Sequence, residues 1–106
     1  MKPIPEKDWK LLRAMQEAKL NEACAEILSV VGEIIASKNN ENHKSYLEVW
    51  EKVQSGNTEI SVMFDDLRRS NAVLKLATWK RNGLLTESEL NEFTEETQSS
   101  IKSIAG

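Results

Sequence analysis

The chain has 106 residues, 17 acidic and 14 basic, and a net charge of −3. This length is expected to form one helical domain, residues 1–106, with a core that needs no disulfide or metal. The mixed, slightly acidic charge excludes a general attraction to nucleic acid or to an anionic membrane. The lone Cys24 cannot form an internal disulfide, nothing before Pro5 resembles a signal peptide, and no apolar run could span a bilayer. The expected location is therefore the cytoplasm.

The first predicted helix spans about residues 5–38 and is apolar around a large part of its circumference. At 100° per residue, its apolar side chains cover an arc of roughly 160°, which is wider than the stripe of an ordinary surface helix. These side chains are Leu20, Ala23, Cys24, Ile27, Leu28, Val30, Val31, Ile34 and Ile35. At least two other segments must cover such an arc. The sequence therefore predicts an all-α four-helix bundle built around this long N-terminal helix, with Ile27 fully buried.

Three further helices follow from the spacing of apolar residues and from the polar segments between them. Breaks are predicted at residues 37–42, at Gly56-Asn57 and at Asn82-Gly83, which gives helices of about 42–55, 58–81 and 87–104. Gly83 can supply the left-handed residue that ends a helix. Thr86 and Glu89 have the spacing of a capping box, so the turn between the last two helices is the best-defined local unit.

Residues that carry enzymatic or metal chemistry are few and scattered. His43 is the only histidine, and no nearby pattern would make it the base of a nucleophile. The sequence has no Glu-x-x-His pair, no phosphate-binding glycine loop and no Cys-x-x-Cys motif. Glu22, Glu26 and Glu33 share a strip of the first helix, but on its solvent side. We therefore predict no enzyme activity and assign no catalytic, cofactor-binding or metal-binding residues.

The last predicted hairpin has the general form of a DNA-binding helix-turn-helix. Its second helix would contact bases with its first residues, but these include Glu87, Glu89 and Glu92, which repel phosphates. Nucleic acid is therefore not expected as a partner. A DNA-associated regulator is the third hypothesis, and its basic surface would be formed by Arg68, Arg69, Lys75, Lys80 and Arg81.

Three tryptophans, one on each of the first three predicted helices, are the remaining binding candidates. Trp50 shares a face with Leu47 and is expected in the core. The main apolar seam of the predicted helix 58–81 consists of Ile60, Phe64, Leu67 and Leu74. Trp79 lies roughly 120° or more from this seam, together with Leu76 and Val73. A helix with two apolar faces is either sandwiched inside the bundle or open to a partner.

The predicted helix lengths leave a second patch, Trp9 and Leu12, beyond the end of the second helix. Either the last two helices or a second copy of the chain must cover it. The candidate interface is thus Trp79, Leu76, Val73, Trp9 and Leu12. The leading hypothesis is a non-enzymatic cytoplasmic protein-interaction or regulatory module of adaptor or inhibitor type, with a protein or its own second copy as partner. The alternative is a small-ligand site walled by tryptophan.

Overall fold

The computed structural model describes residues 3–106, which form five α-helices and one 3-10 turn and contain no strand. The helices are α1 (Glu6–Ala36), α2 (Asn42–Phe64), α3 (Ala72–Arg81), α4 (Glu87–Leu90) and α5 (Glu95–Ala105), and the 3-10 turn is Arg69–Asn71. The prediction of an all-α fold with a long N-terminal helix is confirmed. The boundaries of the later helices differ from the prediction.

A tight polar turn reverses the chain between α1 and α2. The N–H and the hydroxyl of Ser37 both donate to the carbonyl oxygen of Glu33, which closes α1. Asn39 and Asn40 then adopt φ angles of 44° and 69°. Asparagine enters this left-handed region more readily than most residues with a Cβ atom. The two long helices therefore run antiparallel and pack along their length.

The predicted break at Gly56-Asn57 is wrong, because α2 continues through it to Phe64. Gly56 is buried where α2 crosses α1, and a Cβ atom built on it would lie 2.5 Å from Cδ1 of Ile27. The glycine permits a close crossing of two helices and does not end one. Ile27 is half-buried instead of fully buried as predicted, since α2 covers only part of the apolar arc.

Gly56→Ala is expected to destabilise the chain, although alanine favours a helix by about 1 kcal/mol over glycine. The added Cβ must displace Ile27, and overpacking of this kind costs about 1 to 3 kcal/mol. The matched control is Gly32→Ala in α1, where nothing lies within 4 Å of the new Cβ. That variant should gain roughly 0.5 to 1 kcal/mol. Urea unfolding measures whether each variant has a higher or a lower free energy of unfolding than the wild type. Equal stability of the two variants would contradict the close crossing of α1 and α2.

The predicted helix 58–81 is interrupted at residues 65–71. Asp66 leaves the right-handed helical region with a φ of 57°. Asn71 holds the resulting turn, because its Oδ1 accepts from the N–H of Arg68 at 2.9 Å and its Nδ2 donates to the Asp66 carbonyl oxygen at 2.8 Å. The end of α2 and the start of α3 therefore belong to separate helices with unrelated rotational phases.

The predicted turn after α3 is confirmed, and the helix that follows it is much shorter than expected. Gly83 has a φ of 73°, and the N–H of Leu84 donates to the Trp79 carbonyl oxygen at 2.9 Å, as in a Schellman motif. Thr86 and Glu89 form the capping box, with hydrogen bonds of 3.1 and 2.9 Å. The predicted helix 87–104 is divided by a bend at residues 91–94 into α4 and α5.

The hydrophobic core lies at one end of the α1–α2 pair. This region, which we call the head, comprises α3, α4, α5, the part of α1 up to Ala23 and the part of α2 from Gly56 onward. Its buried cluster consists of Ile4, Leu12, Ala23, Met63, Phe64, Ala72, Val73, Leu76, Trp79, Leu84, Leu85, Leu90, Phe93 and Ile101. In residues 24–55, which we call the hairpin, Ser45 is the only buried residue. The hairpin extends from the head in a molecule measuring 53 × 25 × 25 Å.

Candidate interaction surface

The predicted patch of Trp79, Leu76 and Val73 lies in the core, so the expectation that a partner could reach it is wrong. Trp79 is 0% exposed, and its Nε1 donates to the carbonyl oxygen of Met63 at 3.0 Å. Its ring packs against that of Phe64, with the centroids 5.2 Å apart. Leu76 and Val73 are buried on the same helix. This face of α3 joins the helix to the end of α2.

The break at residues 65–71 explains the error. The predicted angle between Trp79 and the seam that contains Ile60 and Phe64 requires one continuous helix from residue 58 to residue 81. Because the helix is interrupted at residues 65–71, the side-chain directions of α3 are not related to those of α2 by 100° per residue. The predicted angle between Trp79 and the seam therefore does not apply. Leu74, which the sequence placed on the buried seam, is exposed. The inner and outer sides of α3 are thus exchanged relative to the prediction.

The second predicted patch, Trp9 and Leu12, is also part of the head. Leu12 is fully buried within the chain, so the prediction that it contributes to an interface is wrong. Trp9 is half-buried against the core, and the guanidinium carbon of Arg13 lies 5.5 Å from the centroid of its ring, in a cation–π contact. The later helices cover this end of α1, which leaves no free apolar patch there.

A buried carboxylate that the sequence pattern does not reveal joins α1 to α5. Asp8 is 0% exposed and accepts hydrogen bonds from the Thr94 N–H at 3.0 Å, the Thr94 hydroxyl at 2.7 Å and the Thr97 hydroxyl at 2.6 Å. These donors surround the N-terminus of α5, where the helix dipole favours a negative charge. Every hydrogen bond in this group is internal, so Asp8 serves as a tertiary cap for α5.

A buried lysine joins α1 to the start of α4. The Nζ of Lys19, a residue that is 4% exposed, lies 2.8 Å from Glu89 and 3.1 Å from Glu22. Burial lowers the pKa of Lys19, but the hydrogen bonds and charges of these carboxylates outweigh that effect and raise it. For Glu89 the two effects have the opposite signs. Burial raises its pKa, but hydrogen bonds from Lys19 and Thr86 outweigh burial and bring the pKa below its ordinary value of 4.5.

The stability of the chain is expected to fall in acid partly through Glu89. Its pKa is lower in the folded chain than in the unfolded chain, so the folded state binds fewer protons. The resulting stabilisation is complete above the unfolded pKa and is lost as pH falls from about 5 through the folded pKa. In urea titrations between pH 7 and pH 3, Glu89→Gln should therefore lose less stability than the wild type. Identical pH profiles would show that the Lys19–Glu89 pair does not stabilise the fold.

Most basic side chains proposed for a DNA surface bind within the chain itself. Three of them donate to distant carbonyl oxygens, at 2.7 to 2.8 Å: Arg69 to Ile4, Lys75 to Val62 and Arg81 to Ile104. Arg68 is paired with the carboxylate of Asp66. These contacts fasten the connections around α3, which accounts for the charges without a nucleic acid.

The exposed apolar surface lies mainly on the hairpin. Six of the eight large exposed hydrophobic side chains among residues 3–106 belong to it: Leu28, Ile35, Tyr46, Leu47, Trp50 and Val53. Leu28 is 67% exposed, Tyr46 66% and Trp50 55%. The expectation that Trp50 lies in the core is wrong, because this part of α2 extends beyond the helices of the head.

Five of these six exposed side chains, all except Leu47, lie on one side of the hairpin. The helices contact each other along two lines of buried or half-buried residues, which are Ala23, Ile27, Val30 and Ile34 on α1 and Ser45, Val49, Lys52 and Gly56 on α2. A second line on each helix consists of the residues that directly follow the contact residues in the sequence. These are Cys24, Leu28, Val31 and Ile35 on α1, and Tyr46, Trp50 and Val53 on α2. Each step of one residue turns the side chain by about 100° around its helix axis. Because the two helices run in opposite directions, these turns bring both second lines to the same side of the hairpin. We call this surface the uncharged face.

The opposite side of the hairpin carries its charges. The residues one position before each contact line include Glu26, Glu33, Lys44, Glu48 and Glu51, all of them exposed. This side, which we call the charged face, has more acidic than basic groups. No Asp, Glu, Lys or Arg occurs among the seven residues of the uncharged face. The hairpin is therefore amphipathic as a unit, with solvent preferred on one side and cover on the other.

Candidate ligand and metal sites have little support in the described part of the chain. A cavity between α1, α2 and the end of α3 has a volume of about 80 Å³, whereas sites for organic ligands commonly have roughly 300 Å³ or more. No tryptophan lines it. A larger depression of about 640 Å³ includes Trp50 together with Ile34 and Glu51, but it is an open part of the hairpin surface and not an enclosed cavity. Within residues 3–106, no group of three His, Cys, Asp or Glu side chains is placed to hold a metal ion.

None of the helices formed by residues 3–106 combines the length and the apolar character needed to cross a bilayer. No protein-family model, no curated protein and no solved structure matches this chain.

Proposed function

We propose that the chain is a non-enzymatic, cytoplasmic protein-interaction module, and that it binds its partner through the uncharged face of the hairpin. The observation that carries this proposal is the incomplete cover of α1. Its wide apolar arc requires two covering segments, and in the hairpin α2 supplies only one. Leu28 and Ile35 lie on the part of the arc that α2 leaves exposed. A partner provides the second segment.

The size and composition of the exposed surface support an interaction role. The uncharged face includes five of the six exposed hydrophobic residues of the hairpin, each of which is 45 to 67% exposed. Together they present roughly 500 to 600 Å², at the upper end of the largest apolar patch of a typical monomer. Tryptophan and tyrosine are among the residues that contribute most to protein interfaces. Trp50 and Tyr46 are therefore the expected anchors.

The charge distribution favours a protein partner over a nucleic acid or a membrane. A helix that lies on an anionic membrane combines its apolar side with lysine and arginine on the polar side. Here the polar side has Glu26, Glu33, Glu48 and Glu51. Nucleic acid would meet the same negative charge. An apolar helical surface of another protein matches the uncharged face without opposing any charge.

A photo-crosslinking experiment in cells tests this proposal. Benzoylphenylalanine replaces Trp50 on the uncharged face and, as the matched control, Glu48 on the charged face of the same helix. We expect position 50 to yield a discrete protein adduct whose partner is identified by peptide mass spectrometry, and position 48 to yield none. Adding Leu28→Lys to the position-50 chain should abolish the adduct.

Two results would contradict the interaction role of this face. One is the absence of any adduct from position 50 when the labelled chain is folded by circular dichroism. The other is an identical adduct pattern from positions 50 and 48, because contact would then not depend on the uncharged face.

A further inference from the structure

We infer that the occupant of the uncharged face is a second copy of this chain, so that two hairpins form a four-helix bundle about a two-fold axis. This inference rests on the proposed function, since it fills the same face. It specifies a partner that brings two helices and an apolar surface of identical shape. A two-fold interface of this kind is the commonest form of protein self-association.

The spacing of the apolar residues fits a helical bundle. Cys24, Leu28, Val31 and Ile35 follow one another at intervals of four, three and four residues. Tyr46, Trp50 and Val53 repeat the first two intervals on α2. This alternation is the heptad spacing by which helices pack side by side in coiled coils and four-helix bundles. One hairpin provides two of the four helices, and a second hairpin provides the others.

The face also continues a line that is already buried inside the head. The alternating intervals of four and three residues that relate Tyr46, Trp50 and Val53 continue farther along α2. They lead to Asn57, Ile60 and Phe64 on the same side of the helix. Phe64 is buried against α3, and Ile60 packs partly against the core. The same side of α2 is thus covered where the head reaches it and uncovered beyond. A second hairpin extends that cover toward the tip.

The area and the charges both suit a second copy. The roughly 500 to 600 Å² of apolar surface that this face exposes on each chain is a large part of the about 800 Å² that each partner buries in a standard interface. Each copy has a net charge of −3, so two copies repel one another through most surfaces. Contact through the uncharged face keeps both charged faces outward and places no like charges opposite each other.

Sedimentation equilibrium of the purified full chain over a range of concentrations tests the inference. The wild type is expected to approach twice the 12.0 kDa mass of one chain. Trp50→Lys and Leu28→Lys should each remain folded and raise the dissociation constant of the dimer by about 30-fold or more. Ser55→Lys is the matched control, because it adds the same charge at an exposed position on the charged side of α2.

The outcomes separate this inference from the proposed function. A wild type that keeps the mass of one chain at every concentration overturns self-association. If position 50 still crosslinks to an identified different protein, the interaction role survives with another occupant, whereas the absence of any adduct overturns both. A dimer that withstands both lysine substitutions, or that Ser55→Lys dissociates equally well, shows that the chain associates through another surface.

Discussion

Trp79→Ala is expected to lower the free energy of unfolding by about 3 to 5 kcal/mol. The substitution removes the largest fully buried side chain, leaves a cavity beside Phe64 and deprives the Met63 carbonyl oxygen of its donor. A domain of this size is stable by only about 5 to 15 kcal/mol in total. The variant should therefore unfold at a much lower urea concentration, and part of it should be unfolded at 37 °C.

Trp50→Ala is the matched comparison, since it removes the same side chain from an exposed position. At a low and fixed protein concentration, its free energy of unfolding should stay within about 0.5 kcal/mol of the wild type. Urea unfolding followed by circular dichroism measures both variants. A stable Trp79→Ala chain paired with a strongly destabilised Trp50→Ala chain would reverse the assignment of core and surface.

Asp8→Ala is expected to cost about 3 kcal/mol or more, although Asp8 lies only in the first turn of α1. The substitution leaves the N–H and hydroxyl of half-buried Thr94 and the hydroxyl of buried Thr97 without their acceptor. Each group that stays unpaired away from water costs roughly 1 to 3 kcal/mol. It also removes a negative charge from the N-terminus of α5. We expect α5 to separate from α1 more readily than the rest of the head unfolds.

Hydrogen exchange and urea unfolding measure this effect together. Asp8→Ala should speed amide exchange in α5 more than in α2, and Asp8→Asn, which keeps one acceptor oxygen, should have an intermediate effect. Glu6→Ala, an exposed substitution in the same turn, should change stability by less than about 0.5 kcal/mol. Equal effects of Asp8→Ala and Glu6→Ala would show that the buried carboxylate does not hold α5 in place.

Features that depend on neighbouring residues were predictable from the sequence. The turn after α3 follows from Asn82-Gly83 and from the Thr86–Glu89 capping box, whose hydrogen bonds involve residues close in the chain. The long N-terminal helix follows from its unbroken apolar periodicity. Neither feature requires knowledge of what packs against it, which is why both appear in the structure at the expected residues.

Features that depend on distant contacts were not predictable in the same way. The break after α2 contains neither glycine nor proline, and Asn71 stabilises it through side-chain hydrogen bonds that have no simple sequence signature. Gly56 resembles a helix break in the sequence, and only the structure shows that it lies inside α2, where it packs against Ile27 of α1. Asp8 resembles an ordinary acidic residue of a first helical turn until Thr94 is brought to it from the other end of the chain.

The proposed interaction surface illustrates both situations. The wide apolar arc of the first helix is visible in the sequence, and so is the need for more than one covering segment. Which residues remain uncovered depends on where the later helices pack, and they pack around the N-terminal half of α1. The exposed aromatic side chains are consequently Trp50 and Tyr46, while Trp79 is in the core.

Hydroxyl-radical footprinting read by mass spectrometry tests the location of the interaction surface most directly, because it reports all three tryptophans in one experiment. At low protein concentration, Trp50, Tyr46 and Leu28 should be oxidised readily and Trp79 should be protected. At high concentration, the same three hairpin residues should become protected, while exposed Leu74 in the head stays reactive. Oxidation of Trp79 as fast as Trp50, or protection of Leu74 without protection of Trp50, would contradict an interaction surface on the hairpin.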